Sequence, residues 1–166
     1  MITKWNFQTP TEEELHKRDR LASQLGLSPV VCLLLVQRGL TTVEEVKKFF
    51  KPSLNDLHDP FLMPDMEKAV KRLNKALGNK EKILIYGDYD VDGTTAVSLV
   101  YKYLRPYSSA LDYYIPDRYD EGYGISYKGI NYARENGITL VISLDCGIKA
   151  IEKIEYAKQL GIDFII

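Results

Sequence analysis

The feature that most constrains the fold is a regular alternation of short apolar runs with amphipathic stretches in the second half of the chain. The apolar runs are typical of strands buried on both faces, and the stretches between them have helical periodicity. Strands that alternate with crossover helices predict an α/β domain in which helices flank a mainly parallel β-sheet. The predicted strands are 82–86, 111–115, 138–144 and 162–166, and the predicted helices are 66–78, 94–104, 126–136 and 149–161.

The first part of the chain is predicted to be helical. Its first helix opens at Thr9 or Thr11, where a threonine is followed by glutamates, and the second opens at Pro29. A third amphipathic stretch and an irregular, proline-rich segment follow. We therefore expect a helical N-terminal region with a linker at residues 1–65 and an α/β domain at residues 66–166, the latter incomplete at its C-terminus.

Composition narrows the class of protein. With 22 basic and 23 acidic side chains the net charge is −1, which is not the strongly basic footprint of many nucleic-acid-binding domains, although a local patch would suffice. The two cysteines, Cys32 and Cys146, fit no zinc spacing and are interpreted as reduced thiols. The polar N-terminus does not resemble a signal peptide, and no apolar run approaches the ~20 residues that span a bilayer. We expect a cytoplasmic protein.

Three aspartates crowd the loop after the first predicted strand. Asp88, Asp90 and Asp92 occupy every second position of "YGDYDVDGTT", and carboxylates held this close repel one another unless a cation lies between them. One alternative is a solvated turn. A calcium EF-hand is excluded, because Leu99 occupies the position of its final glutamate and the preceding segment is a strand.

Two catalytic interpretations remain for this loop. "DVDGTT" is similar to the signature of haloacid-dehalogenase-type aspartyl phosphotransferases, with Asp90 as nucleophile, Asp92 as acid/base and Ser143 as the phosphate-binding hydroxyl, although in that family the strand runs directly into the first aspartate. The other is a two-metal phosphoesterase, because Asp145 also follows a strand and the ends of parallel strands share one edge. Asp145 alone would equally serve as a helix cap. Together with Asp90 and Asp92, it favours a metal site.

Three segments taken together resemble the DHH phosphoesterases, and within them the single-strand-specific exonucleases. These are "ILIYGDYDVDGTTA", "YIPDRYDEGYGIS" and "LVISLDCGIKAIE". The upstream stretch "VQRGLTTVEEVKKFFKPSLNDLHDPFLMPDMEKAV" is similar to the N-terminal region of those exonucleases. The resemblance therefore runs from about residue 30 to the end of the chain.

The resemblance implies a set of metal ligands. Asp90 and Asp92 match the metal-binding aspartates of the family's first motif and Asp145 that of its second, so these three are the expected catalytic residues, and Asp88 is an additional acid beside them. The implied cofactors are two divalent metal ions, Mn²⁺ or Mg²⁺. Many members of the family have a histidine where this chain has Tyr86. The Asp-His-His motif that names the family is expected directly after residue 166.

The resemblance also implies a reaction. It is hydrolysis of phosphodiester bonds from the 5′ end of single-stranded DNA to 5′ mononucleotides, in DNA repair and recombination, with other DNA-repair proteins as possible partners. Residues 1–166 alone are expected to be inactive, since they lack the Asp-His-His motif and a second, DNA-clamping domain. A non-catalytic docking module is the third hypothesis, after the exonuclease and the phosphotransferase.

The middle segment supplies the expected substrate contacts. Arg118 is the candidate for a contact to phosphate or sugar, and a surface salt bridge to Asp120 or Glu121 is the alternative. Gly122 and Gly124 are expected to permit a tight loop beside the site. The tyrosines of this segment are expected to pack in the core or at the rim of the domain, and stacking on bases is the alternative.

Overall fold

The computed structural model describes Lys4 and residues 9–166; the remainder of the polar N-terminal stretch lies outside the described residues. The chain divides into two compact units, which meet in sequence between Asp59 and Pro60. The boundary expected from sequence, after residue 65, stays a prediction. No helix among the residues described is long and apolar enough to cross a membrane.

The first unit contains three helices: α1 (Glu12–Leu25), α2 (Pro29–Gln37) and α3 (Val43–Phe50), followed by a short 3-10 helix at Leu54–Asp56. Reciprocal hydrogen bonds of a capping box between Thr11 and Glu14 start α1, and Thr42 and Glu45 start α3 in the same way. The buried side chains that these helices enclose are Leu21, Cys32, Leu35, Val36 and Val46.

The second unit is an α/β domain, as the sequence predicts. It opens with a 3-10 helix at Pro60–Leu62. Its helices are α4 (Met66–Gly78), α5 (Val91–Leu104), α6 (Tyr127–Glu135) and α7 (Ile151–Gln159). Its strands are β1 (Lys82–Gly87), β2 (Leu111–Tyr114), β3 (Ile138–Leu144) and β4 (Asp163–Ile165). All pairs are parallel, and the order across the sheet is β2-β1-β3-β4.

The alternation of side chains along the central strands divides the core between two faces. Ile83 and Ile85 of β1 pack in a buried cluster with side chains of α4 and α5. Leu84 and Tyr86 of the same strand point the opposite way, into a cluster with side chains of α6 and α7. Both faces of the central strands are therefore covered, which explains why β1 and β3 are largely apolar.

Helix α5 begins three residues earlier than the sequence predicts, at Val91 rather than residue 94. The cause is a side-chain cap, because the Asp90 carboxylate accepts a hydrogen bond from the Gly93 backbone N–H at 3.0 Å. Gly93 also lets the first turn of α5 lie directly on the preceding loop. A Cβ added at Gly93 would lie 2.4 Å from the backbone oxygen of Asp88 and 2.5 Å from its nitrogen.

We predict that Gly93→Ala destabilises the protein by about 3 kcal/mol or more, at the upper end of the range for overpacking, because the opposing atoms are backbone and cannot rotate away. The measurement is the denaturant midpoint followed by circular dichroism. Gly78→Ala is the matched control, since Gly78 also lies in a helix but a Cβ there would meet nothing within 4 Å. An equal loss of stability in both variants would contradict the packing described for Gly93.

Candidate metal centre

The first acidic loop joins β1 to α5 and carries Asp88 and Asp90, with Asp92 in the first turn of the helix. Asp90 and Asp92 are exposed, whereas Asp88 is fully buried, with 0% of its surface accessible. The Asp90 Oδ1 atom caps α5, as described above, and its second oxygen is left for another ligand. The loop thus presents two exposed carboxylates beside a third that is hidden from solvent.

Only one of the two carboxylate oxygens of Asp88 accepts a hydrogen bond from the described part of the protein. Its Oδ1 atom accepts a hydrogen bond from the Tyr89 backbone N–H at 2.8 Å, whereas its Oδ2 atom is buried and accepts no hydrogen bond from any described residue. A buried carboxylate oxygen without a partner is expensive and uncommon in proteins. A divalent cation, which prefers carboxylate oxygens, would supply the missing partner. The side chain therefore fits the predicted metal site.

Asp145 reaches the same edge of the sheet from β3. The paired residues at the ends of β1 and β3 are Gly87 and Leu144, so Asp88 and Asp145 are the next residues of two adjacent strands. Asp145 has a φ of 58°, a left-handed conformation that is uncommon outside glycine but favoured by aspartate and asparagine among the other residues. The backbone turns sharply at the point where this carboxylate leaves the sheet.

The pKa values of Asp145 and Tyr123 are raised by the acidic groups that lie near them. Partial desolvation, and then the charges of Asp90, Asp92 and Asp88, raise the pKa of Asp145. The charge of Asp88 is the main cause that raises the pKa of Tyr123. All these shifts have the sign expected where several negative charges share one region without a cation.

The carboxylates share this region but are not arranged as a finished ligand set. Within the part of the chain that the structure describes, no group of three or more His, Cys, Asp or Glu side chains has the geometry to hold a metal ion. A shared coordination sphere for Asp90, Asp92 and Asp145 therefore stays a prediction.

The segment 116–126 lies beside the acidic loop and carries Arg118. The Arg118 guanidinium carbon lies 5.4 Å from the centre of the Tyr89 ring, a cation–π distance. Tyr89 is the residue between Asp88 and Asp90, so this contact joins the segment 116–126 to the acidic loop. The alternative expected from sequence is not formed among the described residues, since Asp120 pairs with Lys128 at 2.7 Å and Glu121 binds other donors.

The two glycines of this segment have the conformation expected of a tight loop. Gly122 has a φ of 76° and Gly124 a φ of 82°, and a Cβ on either would meet nothing within 4 Å. Backbone conformation alone therefore explains the glycines. Between them Tyr123 packs edge-on against Tyr89, with ring centres 6.1 Å apart.

An open cleft of about 410 Å³ adjoins Asp145. Its lining includes Tyr123, Ile125, Asp145, Ile148, Lys149 and Lys153. This volume lies within the range of small-molecule sites, and the two lysines give it positive charge. Neither lysine is assigned a role from the sequence, although Lys149 lies within the segment "LVISLDCGIKAIE".

Three further residues singled out in the sequence, Ser143, Cys146 and Cys32, are explained by their structural surroundings. The Ser143 side chain is buried and its hydroxyl donates to the Cys146 backbone oxygen at 3.1 Å, which supports the turn that carries Asp145. Burial, and then the charges of Asp88 and Asp145, raise the pKa of the Cys146 thiol to about 12. Burial likewise raises the pKa of Cys32. Both thiols are thus held in the protonated form, in which they are poor nucleophiles.

The curated proteins and the solved structures that resemble this chain include exonucleases named RecJ. The single-stranded-DNA-specific exonuclease RecJ of Bacillus subtilis (strain 168) is 40% identical over 98% of this chain and 20% of its own length. The RecJ of Escherichia coli (strain K12) is 32% identical over 84% of this chain and 24% of its own length. The chain therefore spans about a fifth to a quarter of these relatives.

The structural comparisons agree with the fold. A crystal structure of exonuclease RecJ bound to manganese superposes with a TM-score of 0.56 at 28% identity, covering 62% of this chain and 27% of that one. RecJ from Thermus thermophilus, solved in complex with Mn²⁺, gives a TM-score of 0.63 at 21% identity, covering 90% of this chain and 20% of that one.

A protein-family model matches the region of the chain that carries both acidic loops. The model described as the DHH family, N-terminal domain, matches residues 82–166, which begin at β1 and include Asp88, Asp90, Asp92 and Asp145. The match covers more than half of the chain, and it coincides with the sheet and the carboxylate edge described above. The chain belongs to the DHH family.

Proposed function

We propose that residues 1–166 form part of a metal-dependent exonuclease that hydrolyses single-stranded DNA from its 5′ end to 5′ mononucleotides. The observation that carries the proposal is the exit of Asp88 and Asp145 from paired positions of β1 and β3, in a chain of the DHH family. The relatives named single-stranded-DNA-specific exonucleases support the choice of substrate. A role in DNA repair and recombination, a cytoplasmic location and DNA-repair proteins as partners belong to the same proposal.

The metal ligands in this proposal are Asp90, Asp92 and Asp145, with Asp88 as a further acid that is less exposed. Mn²⁺ or Mg²⁺ is the expected cation, because all four groups are hard oxygen donors. A pair of such ions would supply acidity for a water molecule and positive charge for the phosphate. The ions would also neutralise the crowded carboxylates, and the raised pKa of Asp145 supports this role.

The remaining groups of this chain bind and orient the substrate. Arg118 is the proposed contact to a phosphate or sugar of the strand, and its position over Tyr89 in the acidic loop supports this role. Lys149, exposed in the adjoining cleft, adds positive charge on the side of Asp145. These cations offset the repulsion between a polyanionic strand and the carboxylates.

We predict that Asp145→Asn raises the thermal midpoint of the metal-free 166-residue chain at pH 7. The pKa of Asp145 is raised in the folded state, so its charged form opposes folding at neutral pH, and this effect is absent below about pH 3, where the side chain is protonated in both states. Asparagine tolerates the left-handed backbone at this position. The midpoints of variant and parent should therefore differ at pH 7 and coincide at pH 3.

Addition of Mn²⁺ should reverse the order of the two thermal midpoints, so that the parent becomes more stable than Asp145→Asn. The cation should raise the midpoint of the parent progressively, with the logarithm of its concentration once that exceeds Kd, and should have little effect on Asp145→Asn. Glu135→Gln removes an exposed carboxylate at the end of α6 and should respond to Mn²⁺ as the parent does. If all three proteins respond equally, the site does not include Asp145.

We predict that Asp90→Asn or Asp145→Asn abolishes Mn²⁺-dependent degradation of labelled single-stranded DNA in the longest natural chain that contains residues 1–166. Each substitution removes a charged ligand while leaving the shape of the side chain unchanged. Near-normal activity in either variant refutes the assignment, whereas Glu135→Gln should remain fully active.

Residues 1–166 alone should not degrade the same DNA. They contain two histidines, His16 and His58, and no Asp-His-His sequence, so the ligand set that the family supplies is not complete within them. Turnover by the 166-residue chain comparable to that of the longer chain would show that these carboxylates suffice.

A further inference from the structure

The segment that carries Arg118 is fixed at one end by a network of hydrogen bonds that the proposed chemistry does not use. We call it the Glu121 clasp, and it comprises Tyr86, Tyr114, Glu121 and Ser126. These residues come from β1, β2, the loop and the N-cap of α6, so the clasp joins three elements of the domain to the loop.

Glu121 is the centre of the clasp. Its Oε1 atom accepts a hydrogen bond from the Asp117 backbone N–H at 2.9 Å. The Tyr114 hydroxyl donates to both carboxylate oxygens, at 3.0 and 2.9 Å, and the Ser126 hydroxyl donates to Oε2. Every partner of this carboxylate is therefore a donor.

The direction of these hydrogen bonds is set by their neighbours. The Ser126 oxygen accepts a hydrogen bond from the Gly129 N–H at 2.8 Å, which leaves its proton to be donated to Glu121. The Tyr86 hydroxyl accepts from the Ser126 N–H at 3.1 Å and donates to the Gly124 oxygen at 3.0 Å. Burial raises the pKa of Tyr86 to about 12, so its hydroxyl stays protonated and keeps this donor role.

The clasp reaches Arg118 through Asp117. While the N–H of Asp117 is held by Glu121, its side-chain Oδ1 atom accepts hydrogen bonds from the N–H groups of Tyr119 and Asp120, at 2.8 and 2.9 Å. This turn encloses Arg118, whose guanidinium then lies over Tyr89 in the acidic loop. Arg118 forms no ion pair with Asp120 or Glu121, which have other partners. The position of the Arg118 side chain therefore depends on the backbone of this turn.

We propose that Glu121 is a positioning residue that holds the Arg118 turn beside the acidic loop, so that the guanidinium meets a phosphate of the single-stranded DNA. The inference rests on the proposed exonuclease function and deepens it. Glutamine at position 121 keeps the shape of the side chain but turns one acceptor oxygen into a donor. It therefore cannot satisfy the Asp117 N–H and both hydroxyl donors in their present directions.

The experiment is a double-mutant cycle in the longest natural chain that contains residues 1–166, with Mn²⁺ and a 5′-labelled thymidine oligonucleotide. Glu121→Gln should lower kcat/KM by about 10- to 100-fold, the range expected from displacing a binding group by about 1 Å. Most of the loss should lie in KM, because Arg118 contacts phosphate rather than the ions. In an Arg118→Ala background, Glu121→Gln should have no further effect.

Asp120→Asn is the matched control, because Asp120 is the neighbouring carboxylate and, among the residues that the structure describes, its side chain bonds only to the exposed Lys128. It should change kcat/KM by less than about twofold, as expected for loss of a surface ion pair. Equal losses from Glu121→Gln with and without Arg118 would overturn the inference, because a general structural defect would then be the cause. An unchanged kcat/KM in Glu121→Gln would overturn it as well.

A second readout separates failure of this inference from failure of the proposed function. In the 166-residue chain, the Asp117 amide should exchange its hydrogen faster in Glu121→Gln than in the parent, as measured by NMR, and Asp120→Asn should leave that rate unchanged. An unchanged rate in Glu121→Gln would refute the clasp whether or not the enzyme is a nuclease. If the rate rises but the parent degrades no DNA, the clasp stands, and the proposed function and the positioning role are both refuted.

Discussion

The parallel pairing of β1 with β3 determines where the chemistry of this domain can lie. Because Gly87 and Leu144 are partners at the ends of these strands, the next residue of each, Asp88 and Asp145, must leave the sheet at the same edge. Two neighbouring strands that each end in a carboxylate concentrate negative charge where the sheet itself offers few compensating groups. The unpartnered Oδ2 atom of Asp88 and the raised pKa of Asp145 are the two consequences visible in the fold.

The surrounding groups contact the acidic loop but do not neutralise it. The cap on α5 engages one oxygen of Asp90, and Arg118 brings a positive charge over the ring of Tyr89. Neither contact reaches the buried oxygen of Asp88. Retention of such an unfavourable arrangement is typical of sites whose ligand supplies the missing charge, since buried charges elsewhere are paired or bound to metals. The unpartnered oxygen of Asp88 and the proposed activity thus both favour a bound cation at this edge.

The sequence predicts the sheet well because both faces of its central strands are covered, so β1 and β3 are largely apolar and end at a change of composition. The two acidic loops follow from the same pattern, since their aspartates come directly after strands. What local sequence cannot show is the set of contacts between distant residues. The Tyr86 hydroxyl binds groups of Gly124 and Ser126, about 40 positions away. Arg118 pairs with the ring of Tyr89, and not with the nearby Asp120 or Glu121 that its position in the chain suggests.

The central claim is that the acidic edge of the sheet holds divalent cations, and anomalous scattering tests it most directly. Crystals of a chain that contains residues 1–166, grown with Mn²⁺ and measured near the manganese absorption edge, should show a peak within about 2.0–2.4 Å of carboxylate oxygens of Asp90 and Asp145. The side chain of Asp90 should have rotated away from its position in the helix cap. Well-ordered carboxylates with no manganese between them at saturating Mn²⁺, or a peak on other residues alone, would contradict the account.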